Sequence, residues 1–180
     1  RELASILDRL RQPAIQLVTL TGPGGVGKTR LAERIAAEMT ATPGFELVWI
    51  SLAPLEATEQ VAQAIGQQFG LKGVGPTSLP DRLASRLLGR AVLIVLDNFE
   101  HLLDGAPILS KLLNAGPRLK AMITSRERLN LRNERVFELH GLSVPGERDD
   151  PVRTPFESVD LFVRRAQQAD FTFTMSPQNA

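Results

Sequence analysis

A glycine-rich octapeptide, Gly22–Thr29, carries residue types that bind phosphate groups. Its letters, GPGGVGKT, satisfy the pattern G-x-x-x-x-G-K-T. Glycine backbone can take positive φ and surround an anion with N–H groups, Lys28 offers an ammonium, and Thr29 offers a hydroxyl to Mg²⁺. We therefore expect a nucleoside-triphosphate site formed by Gly22, Pro23, Gly24, Gly25, Val26, Gly27, Lys28, Thr29 and Arg30.

Hydrolysis would also require a group that holds the metal and a group that orients water. Asp97 directly follows the apolar run Ala91–Leu96 and is the candidate on the metal side, although Asp-Asn after a strand also commonly begins a turn. Asn98 can orient a water molecule but is not a strong base, so we expect slow hydrolysis. Glu100 is a further catalytic candidate. The alternative for Glu100 and His101 is solvated loop polarity.

A third candidate group, Arg126, follows another short apolar run that ends at Thr124. A guanidinium at the carboxyl end of that strand could contact the γ-phosphate and report its presence. The alternative is a solvated loop arginine, because the surrounding stretch mixes both signs of charge through Glu127, Arg128, Arg132, Glu134 and Arg135. Interspersed acidic residues argue against a nucleic-acid-binding patch here.

The elements that must position these groups alternate between strands and helices. Five short apolar runs predict strands, and the segments between them carry apolar residues at helical spacing, as in Leu31, Ile35 and Met39. This alternation favours an α/β fold with a largely parallel five-stranded sheet, right-handed crossovers and ligand at the carboxyl ends of the strands. The glycine loop follows the first of those strands.

A change to polar, proline-containing sequence near the carboxyl end suggests a domain boundary. We expect residues 1–144 to form the nucleotide-binding domain and the polar, proline-punctuated residues 145–155 to form a linker. Residues 156–180 would begin a helical subdomain, whose first helix we expect Thr154 to cap.

Overall composition is that of a globular chain. The 180 residues are 43% hydrophobic, carry a net charge of +1 and include no Cys and two His, which argues against disulfides and a zinc site. No signal peptide is recognisable, and no apolar run approaches the roughly 18 to 20 residues that span a bilayer. We expect a soluble cytoplasmic protein without membrane contact or direct nucleic-acid contact.

Three segments in this order, Leu20–Ala32, Leu93–Leu103 and Thr124–Arg126, resemble the STAND signal-transduction ATPases. They resemble in particular the ATPase modules of large bacterial transcriptional regulators of the LuxR and SARP types, and more distantly the NB-ARC modules of apoptotic and plant disease-resistance proteins. The resemblance implies a P-loop NTPase three-layer sandwich with a mainly parallel five-stranded sheet of order 5-1-4-3-2, followed by the start of a helical subdomain.

The resemblance also implies roles for individual residues. Lys28 and Thr29 would serve phosphate and Mg²⁺, Asp97 would serve Mg²⁺, and Arg126 would sense the γ-phosphate. One departure is Asn98, which stands where the NB-ARC branch has a second acidic residue. The family's adenine-contacting motif and its winged-helix domain are expected outside these 180 residues.

The leading functional hypothesis is an ATP/ADP-binding switch with weak, Mg²⁺-dependent ATPase activity, the regulatory core of a larger signalling or transcriptional regulator. In the resembled family, ADP holds a closed state and exchange for ATP permits opening and self-association. Expected partners are ATP/ADP and other proteins or flanking domains. The alternatives are a small-molecule P-loop kinase and an interaction module that binds nucleotide without hydrolysing it.

Overall fold

The computed structural model describes residues 2–41, 44–71, 78–146 and 156–176. The strands are β1 Leu17–Thr21, β2 Glu46–Ser51, β3 Val92–Asp97, β4 Leu119–Thr124 and β5 Glu134–Glu138. The helices are α1 Glu2–Arg11, α2 Lys28–Ala41, α3 Glu59–Gln68, α4 Leu79–Leu87, α5 Ala106–Ala115 and α6 Glu157–Ala169. Two short 3₁₀ helices, Phe99–His101 and Leu103–Gly105, follow β3. No helix within the described residues is long and apolar enough to cross a bilayer.

The five strands form one sheet in the order β2-β3-β4-β1-β5, and every pairing is parallel. This confirms the predicted order 5-1-4-3-2. The register places Leu96 beside Ile123 and Leu20 beside Thr124. The carboxyl ends of β3, β4 and β1 therefore lie next to one another at one edge of the sheet, where parallel α/β sheets bind ligands.

Both faces of the sheet are covered, which explains the uninterrupted apolar run in β3. Ile94 and Leu96 belong to a core shared with α3, α4 and α5, whereas Leu93 and Val95 belong to a second core shared with α1 and α2. Because neighbouring residues of a strand point to opposite faces, a strand between two helical layers needs apolar side chains at every position. The result is the predicted three-layer sandwich.

A buried lysine ties the first helix to the sheet. Lys120 in β4 is 5% exposed, and its Nζ donates to the carbonyl oxygens of Gln12 at 2.9 Å and Ile15 at 2.7 Å. Burial lowers the pKa of Lys120 below its ordinary value. The turn between α1 and β1 is thereby held against the beginning of β4.

The chain divides into two compact units, Arg1–Leu139 and His140–Ala180. Most of the expected linker falls in 147–155, outside the described residues. The boundaries expected from composition, 144 and 156, therefore stay a prediction.

In the second unit, the first turn of α6 is capped from a distant position. The backbone N–H of Glu157 donates to Oγ of Ser143 at 3.0 Å, and the N–H of Ser143 donates to the carboxylate of Glu157 at 3.3 Å. This reciprocal pair does the work of a capping box. Phe156 occupies the N-cap position without a side-chain bond, and Thr154, the expected cap, lies outside the described residues.

The sheet contains a buried hydroxyl whose removal should increase stability. Thr19 in β1 is 0% exposed, and its Oγ1 has no hydrogen-bond partner among the described residues. An unpartnered buried polar group is costly, so we expect Thr19→Val to raise the free energy of unfolding by about 1 kcal/mol in urea denaturation. Thr124→Val is the matched control, because the Thr124 hydroxyl is bonded, and it should lower that free energy. A loss of stability in Thr19→Val would contradict the prediction.

Candidate nucleotide-binding site

The glycine loop runs from the end of β1 at Thr21 to the first residue of α2, Lys28. Gly22, Gly25 and Gly27 have φ values of 142°, 80° and 99°. These conformations are costly for residues with a Cβ, which accounts for glycine at these positions. Gly24 does not have positive φ, and a Cβ there would lie 3.9 Å from Nη2 of Arg126, an ordinary contact distance.

Gly22 also meets a steric limit. A Cβ at this position would lie 2.5 Å from the carbonyl oxygen of Leu139, closer than such contacts are found. Leu139 follows β5, and its N–H donates to the carbonyl oxygen of Thr21 at 2.8 Å. The loop therefore begins pressed against the end of the neighbouring strand.

Lys28 places a buried positive charge inside the loop. The residue is 9% exposed, and its Nζ donates to the carbonyl oxygens of Gly22 at 2.8 Å and Pro23 at 3.0 Å. Within the described part of the chain, Lys28 forms no ion pair with an acidic side chain. Removing an ammonium from water costs several kcal/mol unless an anion compensates. The N-terminus of α2, which favours negative charge, begins at the same residue.

Asp97 joins three elements through one carboxylate oxygen. The Thr29 hydroxyl donates to Oδ1 of Asp97 at 2.8 Å, and the Thr124 hydroxyl donates to the same atom at 2.5 Å. Thr124 in turn accepts a hydrogen bond from the backbone N–H of Asn98 at 2.9 Å. The predicted pair Thr29 and Asp97 is thus brought together, while Thr124 was missed. The sequence signal for Thr124 was a hydroxyl residue at the end of a predicted strand. Whether that hydroxyl reaches Asp97 depends on the register between β3 and β4, which the sequence does not show.

Asn98 occupies a left-handed backbone position with φ 73°. Asparagine tolerates this conformation better than most residues, so its presence after Asp97 has a local conformational reason. The chain turns there directly into the 3₁₀ helix Phe99–His101. The expected contact of the Asn98 amide with a water molecule stays a prediction.

Glu100 and Arg126 form an ion pair. Nε of Arg126 lies 3.2 Å from Oε1 of Glu100, with the Arg126 side chain 66% exposed and the Glu100 side chain 18% exposed. His101 places Nε2 2.9 Å from the carbonyl oxygen of Leu55 and 3.2 Å from that of Leu52, so its ring tethers the turn after β2. Both residues thus contact protein groups, although His101 is exposed, and their roles stay predictions.

The remaining predicted contact residues border an accessible loop. Pro23, Gly24, Gly25 and Arg30 are exposed, and Val26 and Gly27 are half-buried. No hydrogen bond or ion pair of the Arg30 side chain is found within the described residues.

A separate cavity of about 350 Å³, bordered by Gln16, Asn114 and Asn133, lies by the beginnings of β1 and β5. It contains none of the predicted site residues.

The donor set suits magnesium better than metals that need several protein ligands. Among the described residues, no group of three or more His, Cys, Asp or Glu side chains could hold an ion. Thr29 and Asp97 instead offer one hydroxyl and one carboxylate whose oxygens lie 2.8 Å apart. Mg²⁺ is commonly bound by one or two protein oxygens, with water and phosphate oxygens completing the octahedron. The residues present therefore fit this ion.

A parallel sheet of this order, a glycine loop between β1 and α2, and an aspartate ending β3 define a P-loop NTPase fold. The sequence profile of the NB-ARC domain matches residues 1–135. The chain belongs to the NB-ARC domain family.

Two relatives share sequence with most of this chain. A "Putative HTH-type transcriptional regulator" of Mycobacterium tuberculosis is 37% identical over 166 residues, which cover 92% of this chain and 18% of that protein. A "Probable disease resistance protein" of Arabidopsis thaliana is 32% identical over 116 residues, covering 62% of this chain and 13% of that protein. The chain thus spans less than a fifth of the length of either relative.

Two solved structures share the fold. A STAND protein with a tetratricopeptide repeat sensor from Pyrococcus horikoshii aligns with a TM-score of 0.56 at 20% identity, covering 97% of this chain and 25% of that chain. The ORC1 protein of Aeropyrum pernix, solved in complex with DNA, aligns with a TM-score of 0.58 at 23% identity, covering 76% and 44%. The NB-ARC match, the mycobacterial relative and the STAND structure together confirm the predicted resemblance to STAND ATPases and to transcriptional regulators.

Two glycines of the loop should respond differently to alanine. Gly22→Ala adds a clash with the Leu139 carbonyl to the strain of positive φ, so we expect the free energy of unfolding to fall by about 2 kcal/mol or more. Gly25→Ala meets nothing within 4 Å and should cost only the backbone strain, about 1 kcal/mol. Urea denaturation without nucleotide measures both losses. Equal losses would show that the contact with Leu139 does not constrain the loop.

Proposed function

We propose that this chain is a nucleotide-controlled switch: an ATP/ADP-binding module with slow, Mg²⁺-dependent ATP hydrolysis, serving as the regulatory core of a larger signalling or transcriptional regulator. The observation that carries the proposal is the ammonium of Lys28, which is 9% exposed, bonded only to loop carbonyls and without an acidic partner among the described residues. A phosphate group in the loop would supply the missing negative charge.

Magnesium would be held by Thr29 and Asp97. The ion would supply positive charge to the phosphate oxygens as the terminal phosphoryl group leaves. Thr124 fixes the orientation of the Asp97 carboxylate through its hydroxyl. The carboxylate on the metal side is thus oriented by a hydrogen bond from a protein group.

The residues around Asp97 support slow turnover. Asn98 carries a neutral amide, which cannot accept a proton from the attacking water as a carboxylate can. The nearby carboxylate of Glu100 is paired with Arg126. A site with weak general-base assistance would keep ATP bound for long periods, as suits a switch whose output depends on which nucleotide is present.

The setting within a regulator is proposed from the relatives. A mycobacterial relative bears the name of an HTH-type transcriptional regulator, and this chain matches only 18% of its length. We infer that other domains of the parent protein receive the signal and deliver the output. Nucleotide-dependent self-association would be one way to couple them.

Replacement of Lys28 by alanine should abolish tight nucleotide binding while the fold is retained. The ammonium makes charge-assisted contacts to phosphate, so we expect affinity for ATP to fall by about 100-fold in isothermal titration calorimetry. Lys111→Ala is the matched control, since Lys111 is exposed and paired with Asp81. Circular dichroism checks the fold of both variants. Unchanged ATP affinity in Lys28→Ala would refute the proposed site.

Asp97→Asn should separate nucleotide binding from metal-dependent chemistry. Asparagine keeps an oxygen for the Thr29 and Thr124 hydroxyls but removes the charge that attracts Mg²⁺. We expect ATP affinity in EDTA to change by less than about 3-fold, whereas Mg²⁺-dependent hydrolysis in single-turnover assays falls by at least about 100-fold.

The wild-type assay also tests the class of activity. Release of inorganic phosphate that needs Mg²⁺ supports a slow ATPase. Rapid transfer of the γ-phosphate to a small acceptor would indicate a kinase instead. Persistence of intact ATP would indicate a module that binds without hydrolysis.

A further inference from the structure

Glu100 is held in place from both sides. Phe99 before it is 0% exposed, and His101 after it contacts the carbonyl oxygens of Leu52 and Leu55. All three residues lie in the 3₁₀ helix that begins directly after Asn98. A side chain on such an anchored turn loses little additional entropy when it forms a contact. Glu100 can therefore serve as a fixed support for a more mobile partner.

That partner, Arg126, is long and 66% exposed, and it approaches the loop as well as Glu100. Its Nε pairs with Oε1 of Glu100 at 3.2 Å, while its Nη2 lies 3.9 Å from the place a Cβ at Gly24 would occupy. Different nitrogens of one planar guanidinium thus approach Glu100 and Gly24. Because Glu100 takes Nε, the terminal amino groups remain available toward the loop.

Lys28 contacts the loop at the residues next to the one that Arg126 approaches. Nζ of Lys28 bonds to the carbonyl oxygens of Gly22 and Pro23, directly before Gly24. In phosphate-binding loops of this pattern, the lysine reaches the β- and γ-phosphates. An arginine beside Gly24 therefore lies next to the two residues whose carbonyl oxygens accept hydrogen bonds from Lys28.

We propose that Glu100 is a positioning residue that sets the selectivity between nucleoside triphosphate and diphosphate, by holding Nε of Arg126 so that the terminal amino groups face the γ-phosphate. This inference rests on the proposed nucleotide-switch function. Without Glu100, the exposed side chain of Arg126 would be ordered only when nucleotide binds. The entropy lost in that ordering would reduce the binding free energy of its contact with the terminal phosphate.

The test is a double-mutant cycle read out as the ratio of the dissociation constants for Mg·ADP and Mg·ATP. Glu100→Ala and Arg126→Ala should each shift this ratio toward ADP by about 3- to 10-fold. The double variant should match Arg126→Ala alone, because Glu100 acts through Arg126. Glu127→Ala, which alters an exposed neighbouring acid with no ion pair among the described residues, should leave the ratio unchanged.

Glu100→Gln separates positioning from general-base catalysis. It keeps an oxygen for Nε of Arg126 but removes the basic carboxylate, so the ratio should change less than in Glu100→Ala and hydrolysis should persist. Loss of hydrolysis with an unchanged ratio would overturn the proposal and make Glu100 a base. Circular dichroism confirms folding, and Glu100→Gln keeps the test valid if Glu100→Ala does not fold.

Three further outcomes are distinguishable. If Glu100→Ala shifts the ratio equally in the Arg126→Ala background, Glu100 acts independently of Arg126 and the proposal fails. If wild type and Arg126→Ala behave as expected but Glu100→Ala leaves the ratio unchanged, only the positioning role fails. If the wild-type protein does not bind ATP, or Lys28→Ala binds it equally well, the proposed switch function itself is wrong.

Discussion

The carboxylate of Asp97 is the interaction on which the arrangement of the site depends. A single oxygen accepts hydrogen bonds from Thr29 in α2 and Thr124 in β4, while Asp97 itself ends β3. Hydrogen bonds to an ionised acceptor are about twice as strong as those between neutral groups. Loss of this carboxylate would leave the glycine loop, the metal-side strand and the strand leading to Arg126 without a common polar contact.

Strand order creates the opportunity for that contact. The chain forms β1, moves outward to β2 and β3, and then inserts β4 between β3 and β1. Residues that follow β4 consequently emerge between the phosphate loop and Asp97. Arg126 reaches both the loop and Glu100 from this position. Two cations, Lys28 and Arg126, thereby border Gly22–Gly24, and only the second has an acidic partner among the described residues.

This difference in pairing has a physical meaning for the proposed switch. The unpaired, buried ammonium of Lys28 would favour any phosphate chain in the loop, whether from ADP or ATP. The exposed guanidinium of Arg126 costs little when no γ-phosphate is present, because Glu100 already neutralises it. Lys28 would thus bind the phosphates of either nucleotide, and Arg126 would distinguish ATP from ADP by its contact with the γ-phosphate.

Local sequence patterns determined much of this protein. The apolar run before Asp97 predicted a strand covered on both faces, the glycine pattern before Lys28 predicted the loop, and the resemblance of three motifs to STAND ATPases implied the family and the strand order. The strand and the loop follow from residue types and spacing along a few turns or strand positions, whereas the strand order came from the resemblance. Pairings such as Thr124 with Asp97, Glu100 with Arg126 and Ser143 with Glu157 were settled only by folding. Each joins residues far apart in the chain, and their meeting depends on strand register and loop path, which no local spacing specifies.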